Sequence, residues 1–425
     1  MVQNQPSPIT YYNHPSLEED ASTVFLATNF SATNFQVAST SQFTRYVIPK
    51  LRYNQVLAGD RFFFFVTPDH ALAEVCAHAS VPSLAKSKGP TNILGYASDL
   101  SEESQPKPLS ELNATIFEYD LSKKIGAISE FYMNIDRIYA VNSKRTEIAI
   151  FEYQNLNSTE IKVKQFFTDS EKDFIKTFIT GPLSTHYVVL SQKGKIFVNG
   201  EELKDPIEDT IVCGACCGSG VILASRSTLY CRGADTFNVF GGHSFDTFDK
   251  IPFKFEASIV DVKCGFYHTL VLLSNGTVYS CGYNVLNQTT FNTTDTGSVL
   301  SKIAFDFGFA VEIGCSSRGS WVRNNNDDVF MVGEVVEAFT PSLCIHTNPK
   351  IYKFNYKSQF KNFRHPPNDI ASAGWQYTIY HKDNRNDPFK SIFRFRALLL
   401  KTVSHPEGFS DCAIVTMRSS SSVDE

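Results

Sequence analysis

Residues 259–284 constrain the fold more than any other stretch of the chain. Leu270, Val271, Leu272 and Leu273 form an uninterrupted apolar run, and Val278, Tyr279 and Cys281 mark a second. Between them stands Ser274-Asn275-Gly276, with Asn-Gly where a tight hairpin turn needs positive φ. Gly265 precedes the first run and Gly282 ends the second. Two short strands with apolar residues on both faces do not form a stable unit alone. They must be stacked between neighbours of the same kind, so the chain has to supply further copies.

Copies are present. His186, Gly194 and Gly200 repeat the spacing of His268, Gly276 and Gly282. More divergent copies run over 57–76, 137–151, 221–233, 319–333 and 371–384. With the position of Gly265 as anchor, the copies fall at Gly59, Asn134, Leu183, Cys216, Gly265, Ser316 and Gly374, at spacings of 75, 49, 33, 49, 51 and 58 residues. A period near fifty with two clear strands per copy is that of one four-stranded propeller blade. The spacing of 75 implies an insertion loop. Residues 86–111, polar and marked by Pro90, Pro106 and Pro108, are its place. The spacing of 33 implies either a reduced blade or a misplaced anchor.

Cys264, Gly265, His268, Thr269, Gly276, Val278, Tyr279, Gly282, Asn284 and Gln288 follow in order the pattern of the regulator-of-chromosome-condensation repeat, which this chain resembles. Asn275 stands where that repeat has Asp, and Asn287 where it has Gly before Gln288. The resemblance implies an all-β fold, a seven-bladed β-propeller. It implies that a repeat signature of structural residues consists of Cys264, Gly265, His268, Gly276, Tyr279, Gly282, Asn284 and Gln288, with His186, Gly194 and Gly200 in a second copy and Gly374 in the last. It also implies that an N-terminal strand completes the last blade, with residues 23–27 and 35–37 as candidates. The expected layout is a disordered tail over 1–20, one propeller over 21–413 and a Ser-rich acidic tail over 414–425.

Composition agrees. The 36 Phe and 18 Tyr against 2 Trp and 4 Met favour half-buried pleated surfaces. A net charge of −5 argues against a nucleic-acid partner. The N-terminus has neither a basic nor an apolar signal region, and no apolar run nears the ~20 residues of a membrane helix. A cytoplasmic, monomeric protein is expected, with the nucleus as the alternative compartment. Its ten cysteines then read as reduced core thiols. Cys213, Cys216 and Cys217 lack the second pair that a zinc site needs, so no metal or cofactor is expected.

Phosphate-loop, Gly-x-Ser-x-Gly, His-Glu-x-x-His and kinase signatures are absent, so no catalytic residue is assigned. His268 and His186 occupy one repeat position, which points to a structural hydrogen bond inside each blade. Tyr377, Phe62, Ser219 and Gly319 fill that slot in other copies, so no shared chemistry depends on it. Two functions remain in front. One is a non-enzymatic protein-interaction platform, since a propeller offers a broad rigid face of loops. The alternative, implied by the resemblance, is a guanine-nucleotide exchange factor for a small GTPase. Residues 1–20 carry no Lys or Arg, so a basic chromatin-binding arm is missing there. A lectin-like or enzymatic propeller is a third reading that no motif selects.

Overall fold

The computed structural model describes residues 121–333, apart from 135–136, 153–160, 169–171, 183, 205–206 and 292–298, together with 22–27, 36–37, 43–48, 55–58, 62–66, 72–76, 117–119, 351–355, 369–373 and 376–380. Leu183, Gly59, Gly374, the 86–111 insertion and both tails lie outside the described residues.

The chain begins with β1 (Ser22–Ala27), β2 (Gln36–Val37) and β3 (Phe43–Ile48). Sets of four strands follow. The first is β4 (Gln55–Ala58), β5 (Phe62–Val66), β6 (Leu72–Cys76) and β7 (Phe117–Tyr119). A short helix, α1 (Ser122–Ile125), leads to β8 (Ile128–Met133), β9 (Arg137–Asn142), β10 (Glu147–Glu152) and β11 (Ile161–Gln165). Next come β12 (Ile175–Ile179), β13 (Val188–Ser191), β14 (Ile196–Val198) and β15 (Glu201–Glu202). Then follow β16 (Cys213–Cys216), β17 (Gly220–Ala224), β18 (Leu229–Gly233) and β19 (Phe245–Lys250). The signature copy is β20 (Ile259–Cys264), β21 (His268–Leu273), β22 (Val278–Gly282) and β23 (Ser301–Lys302). After it come β24 (Ala310–Cys315), β25 (Gly319–Asn324), β26 (Asp328–Gly333) and β27 (Tyr352–Asn355), and finally β28 (Asp369–Ala373) and β29 (Gln376–Tyr380).

Among the described residues each set of four is one antiparallel meander, with strands paired in chain order. Two additions depart from that rule. β2 joins the free edge of β27 as a parallel strand. β1 inserts between β29 and β3, so one sheet combines N-terminal and C-terminal strands. This is the closure expected of residues 23–27. Residues 36–37 instead extend the sheet before it.

The sheets stack face to face because their strands are apolar on both sides. All six residues of β21 are buried, as are all five of β17 and all four of β13. Each interior cluster lies between two successive sheets. Leu57, Phe64 and Leu72 meet Ile128, Ile138 and Ala149. Val260, Leu270 and Leu272 meet Ile313, Val322 and Phe330. The Phe excess fills these spaces: Phe291, Phe305, Phe307 and Phe330 pack at centroid distances of 4.9–6.1 Å. Truncating a fully buried Leu272 to Ala should cost about 2–5 kcal/mol.

The first strand of each set lies innermost. β4 touches β8 and β28, and contacts run on from β12 through β16, β20 and β24 to β28. The sheets of β8 and β12 are joined through Arg145. It donates to the carbonyls of Ile175 and Lys176 and pairs with Glu130 at 2.7 Å. Outer edges are blunted: β15 and β23 have two residues each, and β11 carries Lys162 and Lys164.

The ladder corrects two anchors. Gly265, Asn134 and Ser316 each donate from their amide to the carbonyl three residues on, and in the β16–β17 hairpin Cys217 does this, not Cys216. Cys216 is still inside the strand, opposite Val221. In the last copy Ala373 pairs with Gln376 at the equivalent point, one residue before Gly374. The histidine slot shifts likewise, to Gly220 and Gln376 in place of Ser219 and Tyr377, while Phe62 and Gly319 stay in it. The short interval of 33 begins in a sheet that is four-stranded but has only two residues in its outer strand.

Because β1 closes a sheet whose other half is C-terminal, deleting residues 1–40 removes that strand and β2. The melting temperature should fall sharply; an unchanged melt would show that the closing strand is dispensable.

Candidate functional site

Antiparallel meanders send their first-to-second hairpins and their third-to-fourth connections to the same end. Among the described residues, in the signature sheet that end carries 265–267, 283–291 and 299–300, and in the sheet before it 217–219 and 234–244. The opposite end carries the turns between second and third strands, such as Ser274–Thr277, and the connections from one sheet to the next, such as 251–258. There Gly194 (φ +88°) and Gly276 (φ +80°) adopt left-handed backbone.

The signature residues build the looped end. His268 is fully buried. Its Nε2 lies 3.2 Å from the Gly319 carbonyl and 3.0 Å from Ser320 Oγ, both in the next sheet. The carbonyl acceptor places the proton on Nε2. The expected bond inside a blade is therefore a bond between sheets. Sequence spacing fixes the position of the ring but not the neighbour it reaches. Gly265 is required here, because a Cβ would stand 2.1 Å from His268 Cε1 and 2.6 Å from the Ser316 carbonyl. Gly282 (φ +107°) is held against the Tyr267 carbonyl, 2.3 Å from where its Cβ would be. Cys264 is buried with Sγ 3.4 Å from Thr269 Oγ, and Thr269 Oγ donates to the Val239 carbonyl at 2.8 Å.

Asn284 folds the loop after β22: its Oδ1 accepts from the amides of Thr289 and Thr290, and its Nδ2 donates to Thr290 Oγ. Gln288 accepts the Leu286 amide through Oε1, while its carbonyl takes a 2.6 Å bond from Ser320 Oγ. Tyr279 stands apart from these residues. It is buried among Phe253 and Phe255, and its hydroxyl donates to Glu256 at 2.9 Å. Burial and that carboxylate raise its pKa.

His186 occupies the His268 position but not its environment. It is half-buried, and its Nδ1 lies 3.1 Å from Asn199 Nδ2 in its own sheet. Burial and the nearby Arg232 lower its pKa. Gly200 (φ +86°) faces Lys164 and Tyr187. Cys216 and Cys217 are core thiols, as expected, and burial pushes Cys217 up to about 11. Among the described residues no group of three or more His, Cys, Asp or Glu is placed to hold a metal. A cleft of about 330 Å³ at the opposite end is lined by Asn142, Lys144, Glu147 and Gln165. Asn142 there spends its amide on Thr146 and Glu147 and its carbonyl oxygen on their backbone amides. No helix among the described residues is long and apolar enough to cross a membrane.

An exposed aromatic ring at the looped end was not singled out from sequence. Phe237, 52% exposed, lies tilted against Tyr267 at a centroid distance of 4.6 Å and edge-on to Tyr283 at 5.2 Å. Phe266 lies 4.0 Å from Tyr267 and packs on Gly218. Backbone bonds tie the hairpin tips beneath, from the Gly218 amide to the Phe266 carbonyl and from the Phe266 amide to the Ser317 carbonyl. The available signal was the aromatic pair directly after Gly265 and the Tyr directly after Gly282.

Stacked antiparallel four-stranded sheets with closure by the N-terminal strand define a β-propeller-like fold. Residues 259–288 match the model of the Regulator of chromosome condensation (RCC1) repeat. The chain therefore carries at least one copy of that repeat, at the place where the sequence pattern is clearest. An RCC1 repeat-containing protein of Dictyostelium discoideum is 26% identical over 133 residues, which is 27% of this chain and 26% of that protein. The chain thus spans about a quarter of the curated relative's length. The fold is similar to that of human WBSCR16, with a TM-score of 0.56, 10% identity, and coverage of 85% of this chain and 100% of that one. It is equally similar to Prp20p of Saccharomyces cerevisiae, with a TM-score of 0.56, 11% identity, and coverage of 88% and 94%. Prp20p has been characterised for binding to Gsp1p and histones.

Burial holds His268 down at about 4 in the folded chain, against about 6.5 when unfolded. The neutral ring therefore contributes fully above pH 6.5, and the contribution is lost as pH falls from 6.5 toward 4. The loss amounts to about 3 kcal/mol. Urea unfolding at pH 7 and pH 4.5 should show His268→Gln with a shallower pH dependence than the parent. An identical dependence would refute this. Gly265→Ala should destabilise by roughly 1–3 kcal/mol at both pH values, since the methyl has no room.

Proposed function

We propose that this chain is a non-enzymatic protein-interaction platform. Its sheets would form a closed seven-bladed propeller over residues 21–413, with the 86–111 insertion and both tails outside the core. What supports the reading is an aromatic cluster, exposed Phe237 flanked by half-buried Tyr267 and Tyr283, on loops whose roots are fixed by cross-sheet hydrogen bonds. Rigid scaffolds that present loops are the usual carriers of binding function. Compartment and oligomeric state follow as proposals: a cytoplasmic monomer with protein partners.

The second reading is guanine-nucleotide exchange on a small GTPase, favoured by the similarity to Prp20p and its binding to Gsp1p. Exchange would require the propeller to hold a nucleotide-free GTPase more tightly than a loaded one. Affinity capture from native lysate, with EDTA and again with excess GTP and Mg²⁺, separates the two. The platform reading expects one partner set under both conditions. A small GTPase retained only with EDTA would replace it with exchange.

A further inference from the structure

Resting on the platform reading, we propose that Phe237, Tyr267 and Tyr283 form a docking site for a proline-rich segment of a partner protein in the extended polyproline conformation. Three observations carry this. The first is shape. The three rings stand at 57°, 66° and 68° to one another with centroids 4.6–6.5 Å apart, so their edges form ridges with slots between them. Ridged aromatic surfaces of this kind accept pyrrolidine rings, and a polyproline helix loses little entropy on docking.

The second is hydrogen-bonding capacity. The hydroxyls of Tyr267 and Tyr283 have no partner among the described residues. A polyproline segment has no internal hydrogen bonds, so its carbonyls are free to accept from such donors. Charge is scarce here: residues 283–291 contain no Asp, Glu, Lys or Arg. Asp235 spends its Oδ1 on the Phe240 amide, and Arg232 Nε donates to the Asp246 carbonyl. An acidic or basic partner segment finds no matching array of charge.

The third is strain. Phe237 has φ 57° and ψ 30°, and Asn238 has φ 58°. A bulky side chain in left-handed backbone is uncommon and unfavourable. Glycine would suit that backbone better, and the loop is already anchored by buried Val239 and Phe240. The side chain of Phe237 is thus not explained by folding. It projects the ring that the other two flank.

The test uses the full-length protein and a displayed library of random 12-residue peptides. Enriched peptides should contain two or more prolines, with no consistent charge. A fluorescein-labelled copy of the best one should bind Phe237→Gly at least tenfold more weakly and Tyr267→Phe/Tyr283→Phe several-fold more weakly. Phe174→Ala, at the opposite end and 40% exposed, should bind it normally. Phe237→Gly should keep or raise the melting temperature, since glycine accepts the left-handed backbone. No enrichment, enrichment of acidic or basic peptides without proline, or unchanged affinity for Phe237→Gly overturns the proposal. If lysate partners of the parent are still captured by Phe237→Gly, the platform reading survives and this site does not.

Discussion

The central sheets of this protein, from β8 to β26, bury apolar residues on both faces, and the rest of the structure follows from that. A strand such as β21, buried at all six positions, needs a partner sheet on each side. Neither neighbour can be the last, because the last would expose one apolar face to water. The chain resolves this by bringing N-terminal and C-terminal strands together. β1 pairs with β29 on one side and β3 on the other, so the sheet that would otherwise be terminal is built from both. Hydrogen bonding thereby removes an exposed edge at the same point.

Apolar stacking alone does not fix how far one sheet rotates against the next. Directional contacts do so. His268 reaches from one sheet to the Gly319 carbonyl of the next, and Arg145 reaches from another to the carbonyls of Ile175 and Lys176. The His268 bond lies in the dry interior, where solvent does not compete with it, whereas the Arg145 bonds lie nearer the surface. The tips of the β16, β20 and β24 hairpins are joined by backbone bonds, which makes the looped end a continuous base. On that base Phe237 can stay exposed, flanked by half-buried Tyr267 and Tyr283, without collapsing into the core. A binding surface of this kind is preorganised, which lowers the entropy lost on association.

Much of this was legible in the chain. The Asn275-Gly276 turn and its flanking apolar runs gave β21 and β22. Asn134, Gly265 and Ser316 marked equivalent hairpins correctly. Cys216 and Gly374 missed by one residue, because a cysteine next to a cysteine and a glycine next to an alanine do not reveal which of the two ends the strand. The recurrence of His186 and His268 was visible, but not their different environments. His186 bonds Asn199 in its own sheet, and His268 bonds across sheets. A repeated letter carries position, not surroundings.

The sequence by itself determined the local units: strand lengths, the turns that need left-handed backbone, and the need of each unit for neighbours. These depend on contacts only a few residues apart, which periodicity and turn chemistry encode directly. Only the tertiary structure decided which groups meet across sheets. The pairing of β1 with β29 joins residues more than three hundred positions apart, and the Phe237 cluster assembles three loops from two sheets. Such contacts depend on how the stacked sheets are rotated and closed, and no local pattern of residues records that angle.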